Sequence, residues 1–466
     1  MSRVIREAAP RFEAEVPLAI VGAGAAGLTA ALAAAEEGVE ALVLEGDALP
    51  RGSTALSAGL IPAAGTRWQA AAGIRDDAAL FEADIQAKAK GRALPQLAAL
   101  LAREAAPALE WLAGTQGLPF SLVDDFDYPG HSRRRMHGLP GRSGAELLDG
   151  LRAATERAGL PLLTGARVTA LIGDAAGAPH GMEVTRPDGA RERIGARAIL
   201  FACSGYGGDR ALVRAHLPRL AQALYFGHPG NTGDAVKWGA GLGARLVQMG
   251  AHQGHGNVAH PAGILITWAV IGEGGFQVNA AGRRFWNEAQ GYSEAAEAVL
   301  AQPGGIAFSV FDARIAAIAR QFPDFRAAEA QGAALAAARV EELAARAKLP
   351  PAALAASFAD VEAMKRARAT DALGRDWSRG APLAAPFHAV RVTGALFHTQ
   401  GGLLVDEAGR VLSEAGPPIP GLYAAGGAAC GVSGPEASGY LSGNGLLSAM
   451  VLGRIAGREA ARFTRG

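Results

Sequence analysis

The sequence predicts an α/β fold, a Rossmann-like parallel-sheet unit, and three stretches carry that prediction. Residues 18–27 run from apolar Leu18 into Gly22, Gly24 and Gly27; residues 28–35 are alanine-rich; residues 41–45 are apolar and end in Glu45. Residues 198–208 are a second apolar run entering a glycine turn, and residues 421–426 are a third. Short apolar runs closed by glycine, the first of them followed by a helical stretch, read as buried parallel strands with a crossover helix.

The first stretch is a G-x-G-x-x-G unit in its strand–turn–helix–strand context. Gly22 allows the tight turn, Gly24 lets backbone approach a pyrophosphate, and Gly27 lets helix and strand pack closely. The helix start at Ala25, Ala26 and Gly27 presents N–H groups and a partial positive charge to phosphate. Glu45 stands where a carboxylate accepts from both ribose hydroxyls, which favours FAD or NAD over a 2′-phosphorylated cofactor. Residues 17–35 are uncharged and about as long as a bilayer span. Their clustered glycines, Glu13 and Glu15 before them and the acid-ended strand after them argue against stable membrane insertion.

Composition narrows the classes. A chain of 466 residues exceeds one small core, so two domains are expected. A net charge of +1 gives no electrostatic footprint for nucleic acid. Cys203 and Cys430 are the two cysteines, far apart, which argues against a zinc site, an iron–sulfur cluster or a disulfide framework. The N-terminus has Glu7, Glu13 and Glu15 and no secretory pattern, so a cytoplasmic protein is expected.

In chain order, residues 51–66 form a loop of small residues and hydroxyls. Gly52, Ser53, Thr54, Ser57, Ala58 and Gly59 are its candidate contacts to a flat polar ligand. Residues 76–116 have helical periodicity, with Leu80, Phe81, Ile85, Leu97 and Leu101 among the apolar positions. Residues 126–137 form a polar loop whose Arg133, Arg134 and Arg135 either hold an anion or face solvent. A helix follows from Gly144, then strands across 161–172 and 181–185 with a turn at Asp188 and Gly189. Residues 327–369 favour helix, residues 272–288 show a β-hairpin pattern around 279–282, and His252, His255 and His260 sit in a Gly/His-rich loop. No second ligand cluster supports a metal there, and none is expected.

The order of these motifs resembles the fumarate reductase and succinate dehydrogenase flavoprotein superfamily, which includes the 3-ketosteroid dehydrogenases. The likeness runs from Leu18 to Gly457 and is strongest at the two ends. It implies a Rossmann-like FAD-binding domain over 1–230 and 377–466, with an inserted α+β capping domain over 231–376. Members with covalent FAD carry a histidine in the loop that here reads Arg51-Gly52-Ser53-Thr54, so non-covalent FAD is implied. By the same likeness Val168 meets adenine through its backbone, and Ser204 and Gly205 lie near the pyrophosphate. Asp234 of the Thr-Gly-Asp segment and Gly426 lie near the flavin. The helix opening at Asn444, Leu446 and Leu447 aims its N–H groups at the pyrimidine edge.

Two departures from the family set the chemistry. Fumarate-type members hold a dicarboxylate with arginines; here Tyr292 stands nearest the place of one and Tyr440 aligns with the other. Without two planar charged forks the bidentate carboxylate clamp is lost. The Gly-Tyr440-Leu-Ser442-Gly run also resembles ketosteroid dehydrogenases. The resemblance therefore implies α,β-desaturation of a ketone, steroid-like or smaller and cyclic. Tyr440, assisted by Ser442, takes the α-proton, and Tyr292 and His398 polarise the carbonyl or relay protons. The expected partner is a small ketone, with an electron acceptor the sequence does not name. An enoate reductase using Arg133 to Arg135 or Arg283 and Arg284 as its anion clamp is the second reading. A flavin-binding redox subunit without turnover of its own is the third.

Overall fold

The computed structural model describes residues 3–125, 128–174 and 177–466, so Phe126 and Asp127 of the expected polar loop lie outside the described residues. The chain forms two compact units. One comprises Met1–His216, Gly227–His252 and His398–Gly466, the other Leu217–Phe226 and Gln253–Phe397.

The first unit is built on a parallel sheet. Strands Leu162–Leu163, Ala41–Leu44, Ala14–Val21, Arg191–Phe201 and Pro418–Ala424 lie side by side in that order. The strand Ala14–Val21 begins before the apolar run: Ala14, Glu15 and Pro17 are exposed, whereas 18–21 are buried. Arg191–Phe201 changes neighbours along its length. Its first half pairs antiparallel with Pro179–Thr185, and Ile199 to Phe201 pair with Leu422 to Ala424.

Helices Ala25–Glu36 and Asn444–Arg465 pack on one another. Gly453 and Gly457, four apart, meet Ala26 and Ala30, also four apart. A Cβ at Gly453 would sit 2.6 Å from the Ala26 carbonyl oxygen, and one at Gly457 would strike the Ala30 carbonyl. The alanine and glycine content thus becomes a close helix crossing on the same face that buries the sheet. The expected helices of 76–116 are Ala78–Lys88 and Pro95–Gly114, and the one from Gly144 runs to Arg157 behind a Ser143 cap.

The second unit is α+β. Its sheet runs Ile264–Leu265, His252–Ala259, Phe387–Thr399, Ile306–Asp312 and Phe276–Asn279. Leu224–Tyr225 and Ala334–Ala337 also pair with Phe387–Thr399. The Gly/His-rich segment is therefore a strand and not a loop. Gly254 and Gly256 are there because helix Tyr292–Leu300 lies directly on it: a Cβ at Gly254 would be 2.6 Å from Ala296 Cβ.

The hairpin expected at 272–288 is half present. Its turn closes, with the Asn279 N–H on the Arg283 carbonyl at 2.9 Å, but no second strand follows. Phe276–Asn279 pairs instead with Ile306–Asp312, because Arg284 turns inward to Glu288 and Asp371. The helix-favouring stretch 327–369 forms helices Val340–Ala347 and Pro351–Ala367, yet Ala334–Ala337 is a strand. Residues 231–252 pack in the first unit: Leu246–Val247 pairs with Gly402–Leu403. Residues 377–397 join the second through the ladder of Phe387–Thr399 with Ile306–Asp312.

Candidate active site

At the carboxyl ends of three parallel strands the first unit gathers its glycine turns. Gly22 has φ +107° and sits against the exit of the neighbouring strand, where a Cβ would be 2.6 Å from the Ala202 carbonyl oxygen. Gly27 has no room for a Cβ, which would strike the Gly22 carbonyl. Gly24 differs: its nearest neighbour would be Thr54 Oγ1 at 3.4 Å, so the space in front of it is open. Gly22 and Gly27 are glycines for internal packing, and Gly24 leaves an approach.

The helix start at Ala25 has no side-chain N-cap of its own; Thr54 Oγ1, from the small-residue loop, accepts the Ala25 N–H at 3.0 Å. Ala26 lies against Gly426, whose φ is +60°. Ser204 has φ +67°, and Gly205 packs beside Gly427. Gly22, Gly24, Ala25, Ala26, Gly27, Thr54, Gly426, Ser204 and Gly205 therefore lie at one end of the sheet. Open α/β sheets bind ligands at that end.

Glu45 uses both carboxylate oxygens: Oε2 accepts the Ala23 N–H at 2.9 Å and Oε1 the Asp47 N–H at 3.0 Å. Its orientation is fixed, with lone pairs remaining on each oxygen. Beside it runs the strand carrying Val168, whose neighbour Ala166 donates its N–H to the Glu45 carbonyl at 2.7 Å. Asp234 begins a helix and accepts Arg167 Nη2 at 2.8 Å.

In the loop, Gly52 and Ser53 open a short helix, and Ser53 Oγ accepts the Asn231 amide at 2.7 Å. Ser57 Oγ closes the loop on itself, donating to the Thr54 carbonyl and accepting the Gly59 N–H. Ala58 is exposed, and Gly59 lies tight against Ser143.

The segment 433–444 carries the phenol and the hydroxyl. Tyr440 and Ser442 are buried, and His398 meets the Tyr440 ring edge-on at 5.6 Å between centroids. Burial holds His398 down to about 4, so it is uncharged at neutral pH. His131 Nε2–H donates to the Ser442 carbonyl at 3.0 Å and is likewise held down to about 4, chiefly by burial. Gly130 presses on Leu441, and Arg92 grips Glu436 with two bonds, at 2.9 and 2.8 Å. The segment contains no arginine or lysine.

Asn444 opens the last helix after Gly443, at φ +86°; Leu446 and Leu447 are buried in its first turn. The Asn444 amide nitrogen reaches Ser433 Oγ at 3.5 Å, while its buried oxygen has no protein partner among the described residues.

Tyr292 belongs to the second unit, at the first position of helix Tyr292–Leu300. It stacks on His255 at 5.1 Å with 21° between planes. The structure therefore brings Tyr440, Ser442 and His398 together in one unit and pairs Tyr292 with His255 in the other. Sequence reasoning passed over His131 as a positioning group, since nothing local ties it to a carbonyl 311 residues away. It weighed His255 only as a metal ligand; among the described residues no group of three side chains could hold a metal ion.

Two members of the basic clusters, Arg135 and Arg284, are held by ion pairs. Arg135 is buried and binds Asp76 twice at 2.9 Å and Asp84 at 2.7 Å. Arg284 binds Glu288 and Asp371. Arg133 and Arg134 are exposed and donate to backbone carbonyls, and Arg283 is exposed.

The family described as FAD binding domain matches residues 18–446 of this chain. The chain belongs to that family. Among curated relatives, the probable fumarate reductase Ifc3 of Shewanella frigidimarina (strain NCIMB 400) is 30% identical, over 95% of this chain and 74% of its own length. The NADH:fumarate oxidoreductase of Klebsiella pneumoniae (strain 342) is 29% identical over 99% of this chain. The chain spans only about half, 49%, of that longer protein. The 4-oxocyclohexanecarboxylate 2-dehydrogenase of Sinomonas cyclohexanicum is 27% identical, over 96% of this chain and 93% of its own length. Among solved structures, the open conformation of a flavocytochrome c3 fumarate reductase is 29% identical over 97% of this chain and 79% of that one, with a TM-score of 0.83.

The cofactor of this FAD-binding-domain protein is FAD. The residues fit it: the space before Gly24, the fixed carboxylate of Glu45 and the partnerless buried Asn444 oxygen each await a polar ligand. No helix among the described residues is long and apolar enough to cross a membrane.

Proposed function

We propose that this FAD-dependent oxidoreductase desaturates the bond beside the carbonyl of an uncharged cyclic ketone. The observation that carries the reading is the chemistry of segment 433–444: a phenol and a hydroxyl beside an uncharged imidazole, with no guanidinium. Two of the arginines that could replace a lost anion clamp are already engaged. Arg135 and Arg284 each serve two carboxylates, and moving either to a substrate would give up those ion pairs.

Tyr440 Oη takes the α-proton, with Ser442 Oγ as the neighbouring hydroxyl that passes a proton onward. His131 holds the Ser442 carbonyl and so fixes where both side chains stand. His398, being neutral, presents a hydrogen bond and no positive charge. Polarisation of the substrate carbonyl by a protein donor acidifies the α-proton. When bound, FAD supplies the acceptor for the β-hydride. The relative from Sinomonas is named for a cyclic ketone that also bears a carboxylate, and it supports the ketone part of this reading.

The test is anaerobic mixing of oxidised holoprotein with a panel of cyclic ketones, read by loss of flavin absorbance. Bleaching by at least one ketone is expected. Tyr440→Phe should keep its FAD yet bleach roughly a hundredfold more slowly, the usual size of an acid/base contribution. An unchanged rate removes Tyr440 from the reaction.

A second reading has its own support, since two relatives are named as reducing fumarate. On it the chain reduces an unsaturated acid. Chemically reduced holoprotein would then be reoxidised by fumarate, and no ketone would bleach the oxidised form.

A further inference from the structure

The segment from His228 to Asp234 joins parts of the first unit that lie far apart in sequence. His228 Nδ1 accepts the Gly230 N–H at 3.1 Å, which puts the ring proton on Nε2, and that nitrogen meets Asp47 Oδ2 at 3.0 Å. Three residues on, the Asn231 side-chain amide donates to Ser53 Oγ at 2.7 Å. Asp47 gives its own N–H to Glu45, and Ser53 precedes Thr54, which accepts the Ala25 N–H. The segment therefore ties the turn of the expected ribose acid to the loop at the helix start. Its two ends are held differently. Asn231 is buried and accepts the Gly208 N–H at 2.9 Å, and Gly233 donates to the Gly205 carbonyl at 3.1 Å. Arg167 Nη2 donates to Thr232 Oγ1 at 3.0 Å and to Asp234 at 2.8 Å. The His228–Asp47 pair lies at the surface, with the Asp47 side chain 43% exposed, and Pro229 beside it is exposed.

We propose that His228 to Asn231 form a strap across the cofactor's place, hinged at Asn231 and latched at Asp47, and that FAD enters and leaves when the latch parts. A side-chain pair at the surface opens more readily than buried backbone bonds, so the strap parts at His228 and stays anchored beyond Asn231. Pro229 has a fixed φ, so the piece between latch and hinge is short and stiff. The latch joins protein to protein and not protein to FAD. It therefore holds the strap equally with the cofactor present or absent, and it sets the rate of exchange and not the affinity. The inference rests on Glu45 and the helix start holding FAD, and it is independent of the ketone reading.

Stopped-flow fluorescence separates a strap from a plain contact. The emission of FAD is followed as it binds protein stripped of cofactor, and again as it leaves the diluted holoprotein. His228→Ala should speed entry and release alike, each about fivefold to tenfold for the loss of one hydrogen bond, with Kd little changed. Asp47→Ala should do the same. The double variant should add nothing further, because all three remove one pair. Asp47→Asn keeps an acceptor for the Nε2–H and should stay near the unaltered rates.

Faster release with unchanged entry would make His228 a contact to FAD and overturn the strap, as would two unchanged rates. Additive effects of His228→Ala and Asp47→Ala would overturn it too, since a latch is one pair. If His228→Ala does not fold, Asp47→Ala decides by the same two rates. If the unaltered protein, once stripped, takes up no FAD, the placement of the cofactor falls and the strap with it.

Discussion

Glu45 shows how much one side chain does at the start of this fold. Its two carboxylate oxygens close the turns on either side of it, one through Ala23 and one through Asp47. Replacing it by glutamine puts an NH2 group against one of those N–H donors, so a satisfied pair becomes a repulsive one. Glu45→Gln should therefore weaken FAD binding by about tenfold to a hundredfold, as one or two hydrogen bonds are lost. Dissociation of FAD, followed by the recovery of its fluorescence on dilution, measures it. An unchanged affinity would mean that the carboxylate serves the turns alone.

The same residue was readable in advance, because strand, glycine turn, helix and acid are neighbours in sequence and each constrains the next. Arg135 was not. Its partners Asp76 and Asp84 stand 59 and 51 residues earlier, and a basic triplet by itself does not say which member turns inward. The surroundings of His255 were unreadable for a related reason. Its neighbours are the rings at 292 and 397, which only the sheet and its covering helix bring to it.

Among elements, the crossing of Ala25–Glu36 with Asn444–Arg465 holds the helix that starts at the glycine turn. Gly457 faces the backbone of Ala30, and backbone cannot move aside as the end of a flexible side chain can. Gly457→Ala should destabilise the protein by about 1–3 kcal/mol through overpacking, seen as a lower Tm. Gly272→Ala is the matched control. It ends helix Ala269–Gly272 with nothing within 4 Å of a new Cβ, so it should be neutral or slightly stabilising. Equal losses from both would mean that crowding at the crossing is not the cause.

Elements whose pattern is local matched the sequence: the strand 18–21, the helices of 76–116 and the helix behind Ser143. Elements decided by a distant partner did not. Ala334–Ala337 has strong helix formers and is nevertheless a strand, because the edge of Phe387–Thr399 offers it hydrogen bonds. The arm after Asn279 carries a hairpin turn, but the Arg284 ion pairs hold it off the sheet.

Across the whole molecule, several histidines are buried as neutral rings, and that couples stability to pH. His137 is fully buried; its Nδ1–H donates to the Arg135 carbonyl and its Nε2 accepts from Thr66, both at 2.9 Å. Burial holds it down to about 4, and His255 down to about 3. Unfolded, each returns to about 6.5. The unfolded chain therefore binds more protons between those values, and stability rises with pH across that window. The contribution is fully present above about pH 6.5 and is lost as pH falls toward 4, roughly 3 kcal/mol for His137.

The Tm of the holoprotein should accordingly fall between about pH 6.5 and 5, a range in which ordinary carboxylates have hardly begun to titrate. Calorimetry near pH 5 in buffers of different ionisation heat gives the proton uptake on unfolding. His255→Phe should reduce that uptake by about one proton, because the unfolded chain loses a site that the folded ring never fills at that pH. An undiminished uptake would mean that His255 is already protonated in the folded protein. It would then face Tyr292 as a cation, and a neutral aromatic stack would no longer describe this unit.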